Sequence, residues 1–323
     1  MQADRRRLNA PAGGTAPPVF ATPTDTSIPR PARTRTPDEH RKIFLRTGVV
    51  PSASGSAYYE IPPQSKQTSH DLLVPHASSL KITCTVHGPR PLPRNAAFSP
   101  NLLLTTHVKF APFATRIRRG YVRDSTERDL GVHLETALRG VVIGERWPKS
   151  GCEVVITVLE GEEDGWWCDA GASGETGGGW GLMGVLAGSI TVASAALVDA
   201  GIDCVDLISG GVAAMIGSDG GDGSSLVLDP QFTDHEVVKA ACVVGYLQSR
   251  DEVTEMWIKG DVGQGTEQLV DEAVKAASLS RTVLVEAVKE SVQGKMASVQ
   301  ASKGVSPATE AKKGKATDVV MTG

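Results

Sequence analysis

The residues from Gly179 to Gly184 form a literal G-x-G-x-x-G pattern. Glycines at this spacing let a backbone turn tightly and bring its N–H groups against a pyrophosphate. Such a loop binds a dinucleotide only when a strand leads directly into it and a helix leaves it. The apolar segment that follows predicts the helix, but a long polar, Gly-rich segment separates the loop from the strand that ends near Glu160. The sequence therefore favours a surface loop, and a nucleotide-cofactor enzyme stays a remote alternative.

A second candidate is the segment FAPFATRIRRGYVRDSTER, which carries five arginines within thirteen residues: Arg116, Arg118, Arg119, Arg123 and Arg128. Guanidinium groups present planar donor forks that suit phosphate oxygens, and a cluster of them gives the salt-dependent attraction that nucleic acids need. A solvated loop without a ligand is the alternative interpretation.

A third candidate is the acidic stretch LVLDPQFTDHE, in which Asp229, Asp234 and Glu236 follow an apolar strand. Carboxylates grouped at a strand end can hold Mg²⁺ beside a phosphodiester. Pro230 is typical of an ordinary acidic turn, and the sequence favours that interpretation.

Other catalytic and metal-binding patterns are missing from the sequence. It contains no G-x-x-x-x-G-K-[ST] and no G-x-S-x-G, and its seven histidines form no H-x-x-x-H pair. The five cysteines form no C-x-x-C pair, so we expect neither a zinc ribbon nor a disulfide framework but reduced thiols, as in a cytosolic or nuclear protein. We expect no metal and no cofactor.

Composition indicates a soluble globular protein. The chain has 323 residues, of which 40% are hydrophobic and 22% charged, and its formal net charge is -4. The N-terminus lacks the apolar stretch of a signal peptide, and no run approaches the ~18 apolar residues of a membrane span. We therefore expect an intracellular protein without membrane contact. A local basic strip remains compatible with the acidic total.

Periodicity predicts a mixed α/β (α+β) chain in which strands are followed by helices, twice over. Residues 1–37 read as a disordered, basic, Pro-rich arm, 38–292 as the folded domain and 293–323 as a disordered tail. Within the domain, 162–179 reads as a Gly-rich insertion. The predicted strands are GSAYYEI, SLKITCTVHGPR, NLLLTTHVKFAPF, CEVVITVLEG, CVDLISGG, VAAMIGSDGGDGSSLVLD (as a hairpin), VKAACVVGYL and EVTEMWIKGDV. The predicted helices are DLGVHLETALRGVVIGERW, LMGVLAGSITVASAALVDAG and a final one from Glu267 to Gln293.

The order of several segments resembles that of RNase PH-like proteins, and in particular the ring subunits of the eukaryotic RNA exosome. The matching segments are IFLRTGVVPSASGSAYYE, LKITCTVHGPRP, VKFAPFATRIRR, ERDLGVHLETALRGVV, GSITVASAALVDAGI and LVLDP. The resemblance covers about residues 38–292 and is most specific at TGVVPSASGSAYYE and FAPFATRIRR. It implies an RNase PH-like fold, a duplicated βαβα unit with mixed sheets packed on helices.

The same resemblance implies a degenerate active site. Active phosphorolytic members carry Gly-Gly-Thr-Arg-Thr-Ala at the start of the matched helix, where the Arg and backbone amides hold the attacking phosphate; here Leu186 stands in place of that Arg. Active members also carry two Asp six residues apart. Asp229 matches the first, but His235 stands where the second belongs, and Asp234 is one position off, which in a strand turns a side chain to the other face.

The resemblance thus implies a non-catalytic structural subunit that completes the ring and lines part of the RNA path. Its implied partners are other RNase PH-like subunits, a cap subunit with S1 and KH modules, single-stranded RNA and an associated catalytic ribonuclease. Its implied locations are nucleus, nucleolus and cytoplasm. We expect Arg116, Arg118, Arg119 and Arg123 to contact the RNA backbone. The alternative is an active phosphate-dependent 3′–5′ exoribonuclease in which another residue replaces the missing Arg.

Overall fold

A computed structural model describes residues 33, 35–62, 79–115, 118–162, 179–217, 224–231 and 238–304. Its principal elements, in chain order, are β1 (Phe44–Thr47), β2 (Gly55–Ile61), β3 (Leu80–Pro91), β4 (Leu103–Phe110), α1 (Ser125–Arg139), β5 (Ser150–Glu160), α2 (Gly181–Asp199), β6 (Ser209–Gly217), β7 (Ser224–Leu228), β8 (Val238–Leu247), β9 (Glu252–Gly260) and α3 (Thr266–Gly304). The predicted α+β class is confirmed.

The first sheet has the strand order β1-β2-β3-β5-β4. Neighbouring strands are antiparallel except β4 and β5, which are parallel and joined through α1. Buried and half-buried residues alternate along β5, so that Cys152, Val154, Ile156 and Val158 enter the core. The near-continuous apolar sequence CEVVITVLEG, which forms most of β5, is typical of a strand that is covered on both faces. The structure corrects this, because the helices that bury the sheet, α1 and α2, belong to one core on one face.

The second sheet has the order β7-β6-β8-β9 and is antiparallel throughout. Of the two sheets, therefore, only the first is mixed. Helix α3 packs on one face of this sheet, while α2 lies against the other face and also against β2 and β3. Helix α2 lies between the two sheets, and its small residues let the strands of both sheets approach its backbone closely. A Cβ on Gly210 would lie only 2.2 Å from the carbonyl oxygen of Ala187.

By length and composition alone, helix α2 could span a membrane. The sequence had predicted no apolar run of that length. Within the described part of the chain, 89% of its apolar window is buried inside the protein. Its apolar surface is covered by the two sheets, so it is a core helix here. Gly201, the last residue of the predicted helix LMGVLAGSITVASAALVDAG, follows the end of α2 in a left-handed conformation. Its φ is +73°, its N–H donates to Val198 O over 3.0 Å, and Ile202 N–H donates to Leu197 O over 3.1 Å.

The strand predicted at CVDLISGG begins later than expected. Cys204 makes only an isolated bridge to Val142, and β6 starts at Ser209. The hairpin that follows is confirmed by the antiparallel pairing of β6 with β7, although its Asp-Gly-rich centre, 218–223, lies outside the described residues.

Described structure continues past both predicted boundaries of the folded domain. Helix α3 continues through Gly294 to Gly304 instead of ending near Gln293. Six of the nine residues from Lys295 to Lys303 are Lys, Met, Ala or Gln, which are good helix formers, and Lys295 Nζ contacts the Asp199 carboxylate over 2.6 Å. At the other end, the segment just before residue 38 is held by the body of the protein, with Leu228 N–H donating to Pro37 O over 2.9 Å. The rest of the arm, the rest of the tail and most of the Gly-rich insertion lie outside the described residues.

Candidate functional site

The acidic residue at the end of β7 is turned into the protein. Asp229 has a φ of +43°, a left-handed conformation that Asp tolerates better than most residues, and its N–H donates to Val212 O over 2.9 Å. Its side chain is only 7% exposed. A carboxylate buried to this degree requires a cation beside it.

Arg41 supplies that cation through a two-pronged contact. Its Nε donates to Asp229 Oδ2 over 2.8 Å and its Nη2 donates to Asp229 Oδ1 over 2.7 Å, while its backbone N–H donates to Oδ2 over 2.9 Å. The third guanidinium nitrogen, Nη1, donates to Glu162 Oε1. The side chains of Arg41 and Glu162 are 2% and 4% exposed. One guanidinium therefore joins two buried carboxylates from distant parts of the chain.

A second arginine completes this group. Arg35 Nη1 lies 3.6 Å from Asp229 Oδ2, and its Nη2 donates to the carbonyl of Asp229 over 3.1 Å. We call Arg35, Arg41, Glu162 and Asp229 the buried ion cluster. Its two cations balance its two carboxylates, and His40 Nδ1 lies at the margin, 3.6 Å from Asp229 Oδ2.

Asp229 and Arg41 stay ionised at ordinary pH. Burial by itself raises the pKa of Asp229, but the opposing charge of Arg41, together with His40 and Arg35, brings that pKa far below its usual range. Burial lowers the pKa of Arg41, and the carboxylates of Asp229 and Glu162 more than offset this, so the pKa of Arg41 is raised well above its usual value. Asp229 and Arg41 therefore stabilise each other's charged form, and neither is suited to exchange a proton or to bind an external ion.

The start of α2 is occupied by the same cluster. Gly184 lies in the first turn of α2, and a Cβ at that position would lie 2.6 Å from Glu162 Oε2. A helix N-terminus favours negative charge, and the protein places its own carboxylate beside it. A pyrophosphate or phosphate approaching this turn would meet a like charge. The geometry thus gives no support to the G-x-G-x-x-G pattern as a dinucleotide site.

The three residues predicted to form the degenerate active site, Leu186, Asp229 and His235, do not lie together in the part of the chain that the structure describes. Asp229 lies in the cluster, whereas Leu186 lies fully buried in the hydrophobic core. Its assignment as the replacement for a phosphate-binding Arg stays a prediction. His235 lies outside the described residues, as do Asp234 and Glu236. Sequence reasoning missed Arg35, Arg41 and Glu162, because Arg41 and its partner Asp229 are 188 residues apart and no local pattern joins them.

The predicted RNA-binding arginines lie in the loop between β4 and α1. Arg118 and Arg123 are exposed. Arg119 is half-buried, because its guanidinium stacks 4.2 Å from the Phe110 ring centroid and its Nη1 lies 3.5 Å from Asp124 Oδ2. Arg116 lies outside the described residues. Arg123 Nη1 also lies 2.5 Å from His107 Nδ1. Of the predicted four, therefore, Arg118 and Arg123 are exposed, and Arg119 and Arg123 contact other side chains of the protein.

The base of this loop is held by a buried carboxylate. Glu127, fully buried in the first turn of α1, accepts hydrogen bonds from the backbone N–H groups of Phe110 and Asp124, each over 3.0 Å. Lys109 Nζ donates to Glu127 over 3.0 Å and also to the carbonyls of Gly120 and Val122, over 2.9 and 3.1 Å. The loop is fixed from below while its outer side chains remain accessible.

Comparison with known proteins identifies the family. The model of the 3′ exoribonuclease family, domain 1 (RNase PH), matches residues 39–203, half of the chain, from before β1 to just beyond α2. The chain belongs to the RNase PH family. Arg41 and Glu162 of the buried ion cluster lie within the matched residues, whereas Arg35 and Asp229 lie outside them. The loop between β4 and α1, residues 111–124, which we call the arginine-rich loop, also lies within them.

Relatives and solved structures agree with this assignment. The chain is 48% identical to "Exosome complex component MTR3" of Chaetomium thermophilum over 90% of this chain and 99% of that one, and 29% identical to "Exosome complex component mtr3" of Schizosaccharomyces pombe over 87% and 94%. The crystal structure of rice (Oryza sativa) Rrp46 superposes with a TM-score of 0.59 at 16% identity, covering 79% of this chain and 98% of that one. This structural likeness supports the RNase PH-like fold.

Proposed function

We propose that this protein is a non-catalytic structural subunit of an RNA exosome core ring, which supports 3′-to-5′ RNA processing and degradation by completing the ring and lining the RNA path. The observation that carries the non-catalytic part of the proposal is the buried ion cluster. The 48% identity to an exosome complex component over nearly the whole of both chains supports membership of such a complex.

The proposed loss of catalysis follows from the internal pairing of the charged groups at this site. Phosphoryl transfer depends almost wholly on positioning and on charge stabilisation by the protein. Here Asp229 is neutralised by Arg41, the helix start is occupied by Glu162, and Leu186 offers neither a donor nor a charge. Removal of a single such donor typically costs about 10²–10³ in rate. Losses at both halves of the site leave no useful phosphorolysis.

The proposal includes the partners and the locations that the family resemblance implies. The partners are other RNase PH-like ring subunits, a cap subunit with S1 and KH modules, single-stranded RNA and a catalytic ribonuclease associated with the complex. The locations are nucleus, nucleolus and cytoplasm. Exposed Arg118 and Arg123, with Arg116, would contact the RNA backbone, which positions the strand without reading its sequence. Arg119 would contribute mainly by holding the loop.

Reconstitution of the ring tests this function. The full chain, co-expressed with the RNase PH-like and cap subunits of a fungal exosome, is expected to enter the ring, and the ring is expected to protect a defined length of RNA from nuclease. Replacement of Arg116, Arg118 and Arg123 by Glu should shorten or abolish that protection, whereas Arg139→Glu, on the exposed side of α1, should leave it unchanged. A chain that stays outside the ring would refute the structural role, and unchanged protection by the triple variant would refute the arginine assignment.

A further inference from the structure

Two exposed aromatic side chains lie in the arginine-rich loop. Phe113 is 74% and Tyr121 is 88% exposed, in a chain whose aromatic content is only 5%. Val122, beside Tyr121, is also exposed. Exposed aromatics grouped in this way require an explanation, because burial of a ring would otherwise stabilise the fold.

The backbone beneath these two rings is well anchored. Ala114 N–H donates to Ala111 O over 2.9 Å, which forms the turn that carries Phe113. Lys109 Nζ binds the carbonyls on both sides of Tyr121, as described above, and Arg119 N–H donates to Pro112 O over 3.3 Å, which ties the two turns together. The rings are thus presented on a fixed backbone, and ordering them on a ligand costs little conformational entropy.

The charge around the rings is positive. Arg118 and Arg123 are exposed on the same loop, and Arg123 Nη1 also contacts His107 Nδ1 over 2.5 Å. Two carboxylates of this region are paired with cations: Asp124 with Arg119, and Glu127 with Lys109. A ligand that matches this surface needs anionic groups for the arginines and flat apolar faces for the rings. Single-stranded nucleic acid supplies both, since its bases are free to stack, whereas the base faces of a duplex are covered by their neighbours.

We propose that Phe113 and Tyr121 form a stacking platform for the bases of single-stranded RNA, whose phosphates contact Arg118 and Arg123. This inference rests on the proposed function, because it assigns how the loop holds the RNA that the ring conducts. Stacking on a ring is nearly indifferent to base identity, so the platform selects unpaired strands and does not select a sequence.

The test measures binding of the assembled ring to three labelled probes of equal length: a single-stranded oligoribonucleotide, the same backbone without bases, and the duplex. The variant is Phe113→Leu with Tyr121→Leu. It should weaken binding of the single strand about tenfold or more, which is the effect expected from loss of one to two stacked bases. The salt dependence should stay unchanged because no phosphate contact is removed. Phe98→Leu, which replaces an exposed ring before the start of β4, is the matched control and should bind as the parent does.

Four outcomes separate this inference from the proposed function. A loss for the single strand that is absent for the baseless backbone supports the platform. An equal loss for both probes, or none for either, overturns it while the ring role stands. If the double variant no longer enters the ring, the rings contact a protein and the platform is overturned. If the parent ring binds no single strand at all, the RNA path assigned to this subunit fails as well.

Discussion

The buried ion cluster and the arginine-rich loop use the same residue types for opposite purposes. In the cluster the side chains of Arg41, Glu162 and Asp229 are at most 7% exposed, and the guanidinium of Arg41 donates only to carboxylates of the protein. In the loop Arg118 and Arg123 are exposed, and among the described residues Arg123 contacts the His107 imidazole and not a carboxylate. Charges paired inside the protein are costly to separate, whereas accessible charges are available to a ligand. Under the proposed function, the cluster serves the fold and the arginine-rich loop serves the RNA.

The two regions also differ in how far along the chain their contacts reach. The cluster joins Arg41, near β1, to the end of β5 and to the end of β7, so it holds segments from both sheets. The loop is braced by contacts between Lys109 and Glu127, which are 18 residues apart. Disruption of the cluster should therefore destabilise the whole fold, whereas disruption of the loop should act locally.

The largest effect is expected from Arg41→Met, which leaves the carboxylates of Asp229 and Glu162 buried without their main cation. Loss of one partner from a buried ion pair costs about 3–5 kcal/mol of unfolding free energy. Urea unfolding of the full chain measures it. The control is Arg146→Met, which removes the more exposed pair with Asp203 and should cost less than about 1 kcal/mol. Equal small losses in both variants would show that the cluster does not hold the fold.

Asp229→Asn should cost about 3 kcal/mol at neutral pH, since it removes the carboxylate between Arg41 and Arg35. The folded-state pKa of Asp229 is far below its unfolded value, so the unfolded chain takes up the proton first as the pH falls. The stabilisation is thus complete above about pH 4 and is lost below it. Urea unfolding at a series of pH values should show parent and variant converging in acid, with Asp203→Asn as control. A constant difference down to pH 2 would contradict this account.

Lys109→Met should have a smaller and more local effect. It removes the cation that pairs with fully buried Glu127 and that holds Gly120 and Val122, at a cost of about 1–3 kcal/mol. Hydrogen exchange should increase in the loop and at the start of α1 and stay unchanged in β6 and β8. An increase across both sheets would show that the loop is coupled to the entire fold.

The smallest effect on stability is expected from Arg118→Gln combined with Arg123→Gln, because both side chains are exposed. Unfolding free energy should change by less than about 0.5 kcal/mol. Binding of the assembled ring to single-stranded RNA should weaken, and the slope of log affinity against log salt should fall by about 1–2. Arg139→Gln, also exposed, serves as control. An unchanged slope would place the phosphate contacts elsewhere.

Local patterns predicted much of the fold because they report contacts close in sequence. The bounds of β2 and β8 were predicted to the residue, and Gly201 was identified as the end of α2. The family resemblance pointed to Asp229, but its partners Arg41 and Glu162 could not be found, since their pairing depends on how both sheets pack. Arg119 shows the limit within one loop, because composition alone does not separate an arginine stacked on Phe110 from its exposed neighbours.

The most direct test of the account is phosphorolysis of single-stranded RNA by the purified full chain with Mg²⁺ and inorganic phosphate, beside an active RNase PH-family enzyme as positive control. We expect no release of nucleoside diphosphates above the protein-free background, because Arg41 neutralises Asp229 and Glu162 occupies the start of α2. Phosphate-dependent release by the chain alone, abolished in Asp229→Asn under conditions where that variant is folded, would contradict the account and establish an active exoribonuclease.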